Sequence, residues 1–298
     1  MDNRPDILCV GSVLWDVIGR SASHMRVGSD VPGRITRNPG GVAMNIAMTL
    51  RRFGMTPALL TSIGRDAAGD ELVNEAMQMG MICEHIYRSS DLPTDIYMAI
   101  EGGNGLIAAI ADAHSLEAAG DKILRPLADG GLGSEQEPFA GQIALDGNLT
   151  VELLRKIATS PLFRAADLRV APASPGKAER LLALMGHPTA TLYVNLEEAG
   201  LICQKNFAEA SEAVADMLAK GVHRAVVTNG GDAAAEGIAG DIITANPPDV
   251  MVTRVTGAGD TFMAAHIATE AQGADRRAAL ARALEAAAIY VSGETPYD

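Results

Sequence analysis

The 298-residue chain has few aromatic residues and a shortage of basic ones. Aromatic side chains make up only 4% of it, too few for a platform on which nucleic-acid bases stack. The 24 lysines and arginines are outnumbered by 37 aspartates and glutamates, which gives a net charge of −13. A surface this acidic repels nucleic-acid backbones and anionic membranes, so we expect neither as a partner. A local site can still bind an anionic small molecule.

Cysteines and long apolar runs are also scarce. Cys9, Cys83 and Cys203 are far apart and contain no CxxC pair, a pattern that predicts three reduced thiols. No apolar run approaches the roughly 18–20 residues of a membrane-spanning helix. Residues 1–6 lack the basic start and the cleavage site of a signal peptide. We therefore expect a cytoplasmic protein.

Short apolar runs alternate with segments of helical periodicity along most of the chain. This alternation predicts an α/β fold, in which a largely parallel sheet is covered by helices on both faces. The predicted units are strand 7–10 with helix 43–53, strand 58–63 with helix 66–79, strand 143–145 with helix 151–158, strand 168–170 with helix 177–185, strand 191–194 with helix 207–220, and strand 225–227 followed by two helices within 258–291.

Two segments break this alternation. Residues 18–37 are polar and rich in glycine and serine, with no helical period. Residues 94–111 are typical of two strands joined by Gly102-Gly103-Asn104-Gly105, which is a strong hairpin signal. We predict that residues 18–37 and 94–112 form one small sheet on a single domain spanning residues 1–298. An exposed edge of that sheet could pair with a second copy to give a homodimer.

The segment Thr256-Gly257-Ala258-Gly259-Asp260 lies where a strand ends and a helix begins. The backbone N–H groups of Gly257, Ala258 and Gly259, together with the helix dipole, predict an anion-binding site. Asp260 in the first helical turn is then either a base for an incoming hydroxyl or an acid that complements the helix N-terminus. From these residues alone, both interpretations are open.

A second glycine-rich segment, Pro39-Gly40-Gly41-Val42-Ala43-Met44-Asn45, opens another helix. Gly40 and Gly41 permit close contact between backbone and ligand. The amide of Asn45 can donate to and accept from paired sugar hydroxyls, although it could equally be an ordinary polar residue. Neither segment is a GxxxxGK[ST] phosphate loop or a GxGxxG dinucleotide fingerprint.

Together the two segments resemble the signatures of the PfkB, or ribokinase-like, carbohydrate kinases. The resemblance implies a parallel-sheet α/β/α sandwich with a small β-sheet lid over the sugar. It also implies ATP as the phosphoryl donor and Asp260 as the catalytic base. The matching positions are Gly40, Gly41, Asn45, Ala47, Gly54 and Gly64 in the N-terminal signature and Thr256 to Asp260 in the C-terminal one.

The same resemblance implies further binding positions. Asn195 and Glu198 match an N-x-x-E motif that organises Mg²⁺, largely through water, and oxygen ligands suit this hard cation. Thr228, Gly230 and Gly231 are similar to the strand-end segment that contacts ATP.

On the sugar side, the segment containing Ser12 and Asp16 resembles the first-strand motif, whose aspartate binds sugar hydroxyls. The family pattern is broken at Arg254, where members usually have Asp, Asn, Ser or Lys. It is also broken at Ala171-Pro172, where many members have Asp-Pro or Asn-Pro. Members that bind a monovalent cation use the backbone carbonyl at the position of Arg254, so K⁺ is a further cofactor candidate that this arginine puts in doubt.

Within the family, residues 29–41, 106–112 and 143–148 resemble the pseudouridine kinases. The resemblance predicts ATP-dependent phosphorylation of the 5′-hydroxyl of pseudouridine. Asp112 is our candidate acceptor for the extra ring N–H of that base, and Ser29 and Tyr97 are other candidates on the lid. Two alternatives stay open: a ribokinase or another sugar or nucleoside kinase, and a catalytically silent nucleoside-binding sensor.

Overall fold

A computed structural model describes residues 4–26, 28 and 30–293. The strands in these ranges are β1 (Ile7–Val10), β2 (Leu14–Arg20), β3 (Arg34–Gly40), β4 (Pro57–Leu60), β5 (Ser62–Gly64), β6 (Tyr87–Ser89), β7 (Ile96–Gly102), β8 (Gly105–Asp112), β9 (Gln142–Asp146), β10 (Asp167–Ala171), β11 (Thr191–Asn195), β12 (Arg224–Asn229), β13 (Asp232–Ile238) and β14 (Asp241–Ala245). The α-helices are α1 (Val42–Arg52), α2 (Ala67–Gln78), α3 (His114–Ala119), α4 (Val151–Thr159), α5 (Leu196–Cys203), α6 (Ala210–Ala219), α7 (Ala258–Ala271) and α8 (Arg276–Ser292).

Eight of these strands form the central sheet, in the order β14-β13-β12-β11-β10-β9-β1-β4. Every pairing from β12 to β4 is parallel, whereas the β13–β14 hairpin is antiparallel and extends one edge. The hairpin was not predicted. The parallel part brings the carboxyl ends of its strands to one edge of the sheet, where α/β proteins bind ligands.

The apolar core lies on both faces of this sheet. Along β1, Leu8 and Val10 pack on one face while Ile7 and Cys9 pack on the other. The first face is covered by α4, α5 and α6, and the second by α1, α2, α7 and α8. Strands buried on both faces are continuous apolar runs rather than alternating ones. The predicted α/β/α sandwich is therefore confirmed.

A separate four-stranded sheet, in the order β3-β2-β7-β8, contains the two segments that break the alternation. β2 and β7 are parallel, and the other two pairings are antiparallel. The hairpin from β7 to β8 turns at residues 103–104, and Gly105 has a φ of +90° that favours glycine. The first strand of this sheet begins at Leu14, four residues before the predicted segment 18–37, and the last strand ends at Asp112 as predicted.

Four elements differ from their predictions. The strand predicted to end before Gly257 is absent, because residues 246–257 form no strand and a loop leads into α7. The predicted strand 58–63 is divided, because β5 leaves the central sheet and pairs with β6. The predicted helix 177–185 is a 3₁₀ helix, Pro175–Leu184, which begins at a proline. Helix α5 was not predicted as a separate helix. No helix of the described chain is long and apolar enough to cross a membrane, and all three cysteines are free thiols.

A buried network of charges ties α7 and α8 to the central sheet. The Glu236 carboxylate, which is 0% exposed, accepts hydrogen bonds from Arg224 (2.6 Å) and Arg276 (2.8 Å). Glu270, near the end of α7, pairs with Arg224 (2.5 Å) and with Arg169 (2.6 Å). These guanidinium groups already neutralise the acids, so the group of Glu236, His266 and Glu270 is a structural cluster rather than a cation site.

Desolvation alone would raise the pKa of Glu236. The hydrogen bond from His266, the charge of Arg224 and the hydrogen bond from Arg276 outweigh it and lower the pKa from 4.5 to about 2. A carboxyl whose pKa is lower in the folded state stabilises the fold above its unfolded pKa. This contribution is therefore complete above about pH 5 and is lost as the pH falls from 4.5 towards 2.

We expect Glu236→Gln to lower the free energy of unfolding by about 3–5 kcal/mol at pH 7, because it removes one negative charge from a buried network that contains Arg224 and Arg276. The loss should shrink at pH 3, where the wild-type carboxylate contributes less. Denaturant unfolding at both pH values measures the difference. Asp121→Asn, in the exposed pair with Lys156, is the matched control and should change stability by less than about 1 kcal/mol. An equal loss at pH 3 and pH 7 would contradict the assignment.

Candidate active site

The candidate site residues meet at the carboxyl edge of the central sheet. Ser12 follows β1, Asp146 ends β9, Asn195 ends β11 and Thr228 lies near the end of β12. Parallel strands bring these positions to the same edge although they are far apart in sequence. The beginning of α7 adds Asp260 to them.

Gly257 caps α7 in a left-handed conformation, with a φ of +86°. A Cβ atom at this position would lie 2.6 Å from the Tyr290 hydroxyl oxygen, so only glycine fits. The Tyr290 hydroxyl donates to the carbonyl oxygen of Thr256 (2.9 Å) and holds the turn in place.

Of the three predicted anion-binding amides, Ala258 requires a correction. Its N–H donates to the carbonyl oxygen of Val255 (3.1 Å) within the turn and is not available to a ligand. The N–H groups of Gly257 and Gly259 have no hydrogen-bond partner in the described chain. A Cβ on Gly259 would meet nothing within 4 Å, so this side of the turn is open to a ligand. The anion site therefore centres on the two glycines.

Asp260 has the electrostatic surroundings of a proton acceptor. Desolvation is the main cause that raises its pKa to about 7, and the carboxylates of Asp146, Asp16 and Glu198 act in the same direction. The hydrogen bond from Asn45 Nδ2 to Asp260 Oδ2 (2.9 Å) opposes them. A carboxylate with a pKa near neutrality can take up and release a proton at working pH, which general base catalysis requires.

The Gly40-Gly41 pair has a packing reason as well as a possible ligand role. A Cβ on Gly40 would lie 2.0 Å from Asp16 Oδ2, so the absent side chain leaves room for this carboxylate. Gly41 has a φ of +93°, and a Cβ there would lie 2.5 Å from the carbonyl oxygen of Ser12. Desolvation raises the pKa of Asp16 to about 6.

Ser12 was predicted to bind the substrate, but its hydroxyl is fully used inside the protein. It donates to Asp146 Oδ2 (2.5 Å) and accepts from Val42 N and from Asn148 Nδ2 (both 3.0 Å). A hydroxyl has one donor and two acceptor sites, so none is left for a ligand. Since Gly41 has no side chain with which to cap α1, Ser12 caps that helix from the turn that follows β1.

Asn195 and Glu198 form a capping box at the start of α5. The Asn195 side chain accepts from Glu198 N and the Glu198 side chain from Asn195 N, both at 2.8 Å. Burial is the main cause that raises the pKa of Glu198. The second carboxylate oxygen of Glu198 has no hydrogen-bond partner in the described chain. Two hard oxygen donors, one of them partly free, fit Mg²⁺ held through water.

The nucleotide candidates lie where β12 leaves the regular sheet. The register of β12 against β13 shifts between Val227 and Asn229, next to Thr228. A Cβ on Gly230 or Gly231 would meet nothing within 4 Å, so a ligand can approach the backbone there.

Asp112 is placed away from the position predicted for it. Its partner in the pairing register is Ile96, whose partner on β2 is Trp15, whereas Asp16 is paired with Tyr97. Residues directly opposite each other share a face of the sheet. Asp112 and Asp16 therefore point to opposite faces, so Asp112 cannot read the base of a nucleoside whose sugar is bound by Asp16.

The remaining lid candidates differ in their surroundings. Asp112 is half-buried and pairs with His114 Nδ1 (2.6 Å), while Ser29 lies outside the described residues. Tyr97 is on the face of Asp16, and burial together with the charge of Asp16 raises its pKa. Asn38, opposite Asp16 on β3, is on the same face and was not predicted.

Arg254 folds onto the end of α8. Its Nε donates to the carbonyl oxygen of Tyr290 (2.8 Å), and its guanidinium lies 4.0 Å from the centre of the Tyr290 ring. The positive charge of the Arg254 guanidinium therefore lies in the loop at the position where the family pattern is broken.

Three further polar residues lie at the site and were not predicted as site residues: Asp146, Asn148 and Lys177. Asp146 is fully buried and accepts from Ser12 N and Asn148 N, both at 2.8 Å. A Cβ on Gly11 would lie 2.2 Å from Asp146 Cβ, which explains this glycine. The available signal was an acid directly after a predicted buried strand.

Comparison with known proteins agrees with this geometry. The pfkB family carbohydrate kinase model matches residues 4–297. Pseudouridine kinase from Escherichia coli (strain K12) is 27% identical over 272 residues, which are 89% of this chain and 83% of that protein.

Two solved structures share the fold. A carbohydrate kinase from Agrobacterium tumefaciens is 26% identical with a TM-score of 0.80, and the match covers 95% of this chain and 89% of that one. Arabidopsis thaliana ribokinase, complexed with ribose and ATP, is 20% identical with a TM-score of 0.77, and the match covers 97% and 93% of the two chains. Since the family match spans nearly the whole sequence, this chain belongs to the pfkB family of carbohydrate kinases and is a sugar or nucleoside kinase.

Proposed function

We propose that this kinase transfers the γ-phosphoryl group of ATP to the 5′-hydroxyl of pseudouridine. The observation that carries the proposal is Asp260, with a pKa of about 7, beside the open amides of Gly257 and Gly259. ATP as donor is supported by the ribokinase that was solved with it, and pseudouridine by the relative from Escherichia coli.

In this proposal Asp260 accepts the proton of the attacking 5′-hydroxyl, so that the oxygen can bond to the phosphorus while ADP leaves. Asn45 holds the Asp260 carboxylate through its amide N–H (2.9 Å). The amides of Gly257 and Gly259, at the positive end of α7, face the charge of the transferred group. Asp16 binds sugar hydroxyls from the neighbouring sheet.

On the nucleotide side, Thr228, Gly230 and Gly231 provide an open backbone edge for ATP. Asn195 and Glu198 would hold Mg²⁺ through water. When bound, that ion would offset negative charge on the phosphates.

The preference for pseudouridine requires an acceptor for its additional ring N–H. Asn38, Asp16 and Tyr97 lie side by side on one face of the lid sheet. This face is directed to the site, since the charge of Asp16 helps to raise the pKa of Asp260. We propose the side-chain carbonyl of Asn38 as this acceptor, in place of Asp112.

If pseudouridine is the substrate, its kcat/KM should exceed that of uridine by roughly ten- to a hundredfold, because uridine leaves unpaired an acceptor that the bound nucleoside covers. A coupled assay with pseudouridine, uridine, adenosine, ribose and fructose 6-phosphate measures this ratio. Asn38→Ala should reduce the ratio without reducing turnover of uridine. A preference for ribose or adenosine would favour the alternative kinases, and no turnover of any acceptor would favour the silent sensor.

Asp260→Asn should lower kcat by roughly 10²–10⁴-fold while nucleoside binding is retained, because it keeps the shape and removes the base. In the wild type, kcat/KM should rise with pH and level off above about 7, since only the ionised carboxylate accepts a proton. Asn45→Ala should move this inflection upwards, because its hydrogen bond lowers the pKa of Asp260. Asp112→Asn, on the other face of the lid sheet, is the matched control. Near-normal turnover in Asp260→Asn would refute the role.

We also propose a homodimer through the lid sheet. The face opposite Asp16, which we call the outer face, presents a row of apolar side chains to solvent. Their exposed fractions are 76% for Ile35, 36% for Ile96, 46% for Met98, 39% for Ile100 and 69% for Ile110. A second copy fits this face, because both partners would bury the same apolar surface.

The double variant Met98→Asp/Ile110→Asp should then be monomeric in light scattering, whereas Met77→Asp, at an isolated exposed methionine on α2, should leave the dimer intact. Because each copy carries a net charge of −13, added salt should strengthen the wild-type dimer by screening repulsion. A wild-type monomer at micromolar concentration, or a dimer unaffected by the double variant, would count against the outer face.

A further inference from the structure

Lys177 lies at the candidate active site and has no role in the proposed mechanism. It lies in the 3₁₀ helix Pro175–Leu184, which follows β10. Its ammonium group contacts Asn148 Oδ1. Asn148 Nδ2 in turn donates to Ser12 Oγ (3.0 Å) and to Asp146 Oδ2 (3.2 Å). Lys177 is therefore one side chain away from the hydrogen bonds that hold the start of α1.

This ammonium group lacks a carboxylate partner. Lys177 forms no ion pair within 4.0 Å in the part of the chain that the structure describes, although it is only partly exposed. Its neighbour Arg180 is occupied, since it donates to the carbonyl oxygens of Asn148 (3.0 Å) and Leu149 (3.1 Å). Desolvation, followed by the charge of Arg180, lowers the pKa of Lys177, although the more distant charges of Asp146 and Glu117 act in the opposite direction. Burial of a cation without a paired anion is unfavourable unless a ligand supplies the anion.

The position of β10 places this cation between the two halves of the site. β10 is hydrogen-bonded to β9, which ends at Asp146 on the sugar side, and to β11, which ends at Asn195 on the metal side. A phosphoryl group in transfer passes between these two sides, and it carries its charge on three oxygens.

The site needs positive charge at that point. Asp260 is surrounded by the carboxylates of Asp16, Asp146 and Glu198, which raise its pKa. The bound triphosphate adds further negative charge. A helix N-terminus supplies only about half an elementary charge, so a side-chain cation would contribute substantially.

We propose that Lys177 binds the γ-phosphoryl group of ATP, with its ammonium moving from Asn148 to the phosphate oxygens. A compact charge on a flexible stem can make this movement. The inference rests on the proposed function, because it assumes that ATP lies along this edge of the sheet.

Lys177→Met removes the charge and keeps most of the side-chain volume. We expect kcat to fall about 10²-fold or more, as when one stabilising donor is lost, with the KM for the nucleoside changed by less than about threefold. In calorimetry with ATP and with ADP, the wild type should prefer ATP and the variant should lose most of that preference. Lys177→Arg should restore part of both. Lys205→Met, at an exposed lysine paired with Asp216, is the matched control.

Two outcomes would overturn the proposal. One is a kcat for Lys177→Met within threefold of the wild type. The other is an unchanged preference for ATP over ADP combined with a raised KM for the nucleoside, which would mean that Lys177 acts through Asn148 and Ser12. If Lys177→Met does not fold, as judged by its thermal transition, Lys177→Gln replaces it.

The calorimetric comparison also separates this inference from the proposed function. If pseudouridine is not the acceptor, the wild type gives no turnover with it, yet the difference between ATP and ADP binding still reports on Lys177. If the wild type binds neither nucleotide, both proposals are overturned.

Discussion

The hydrogen bonds around the buried carboxylate of Asp146 hold the candidate site together. This side chain accepts from the backbone and the hydroxyl of Ser12 and from Asn148, so its desolvation is offset by a full set of donors. Ser12 in turn caps α1, whose N-terminal glycine cannot cap it. Helix α1 contains Asn45, which donates a hydrogen bond to Asp260. The position of the proposed base therefore depends on the carboxylate of Asp146 at the end of β9.

Helix α7 joins two electrostatic environments of opposite character. At its beginning, carboxylates crowd around Asp260 and raise its pKa, which is useful only where a proton must be accepted. Near its end, Glu270 is neutralised by Arg169 and Arg224. The second environment anchors the helix to the sheet, so the first can keep an arrangement of like charges that would otherwise push the chain apart.

The small sheet has different chemistry on its two faces. One face has the polar row Asn38–Asp16–Tyr97, and the other has exposed apolar side chains such as Ile35 and Ile110. Because side chains alternate along a strand, the pairing register alone decides which residues share a face. That register separates Asp112 from Asp16, and it leaves an apolar surface that a second copy of the chain could cover.

The sequence by itself determined the α/β layering, because strands buried on both faces are continuous apolar runs. Some helix starts are also marked in the sequence by their capping residue, as Asp66 marks the start of α2. It also determined the glycine-rich turn before Asp260, since the left-handed backbone of Gly257 is a local requirement, to which the distant Tyr290 adds a second one. Only the tertiary structure decided that the hydroxyl of Ser12 is used internally and that Asp146 is its partner. Those two residues are 134 positions apart in the chain, and no local pattern records which distant group will use up a hydroxyl's donor and acceptor sites. The face on which Asp112 lies was likewise decided by the pairing register with the neighbouring strands.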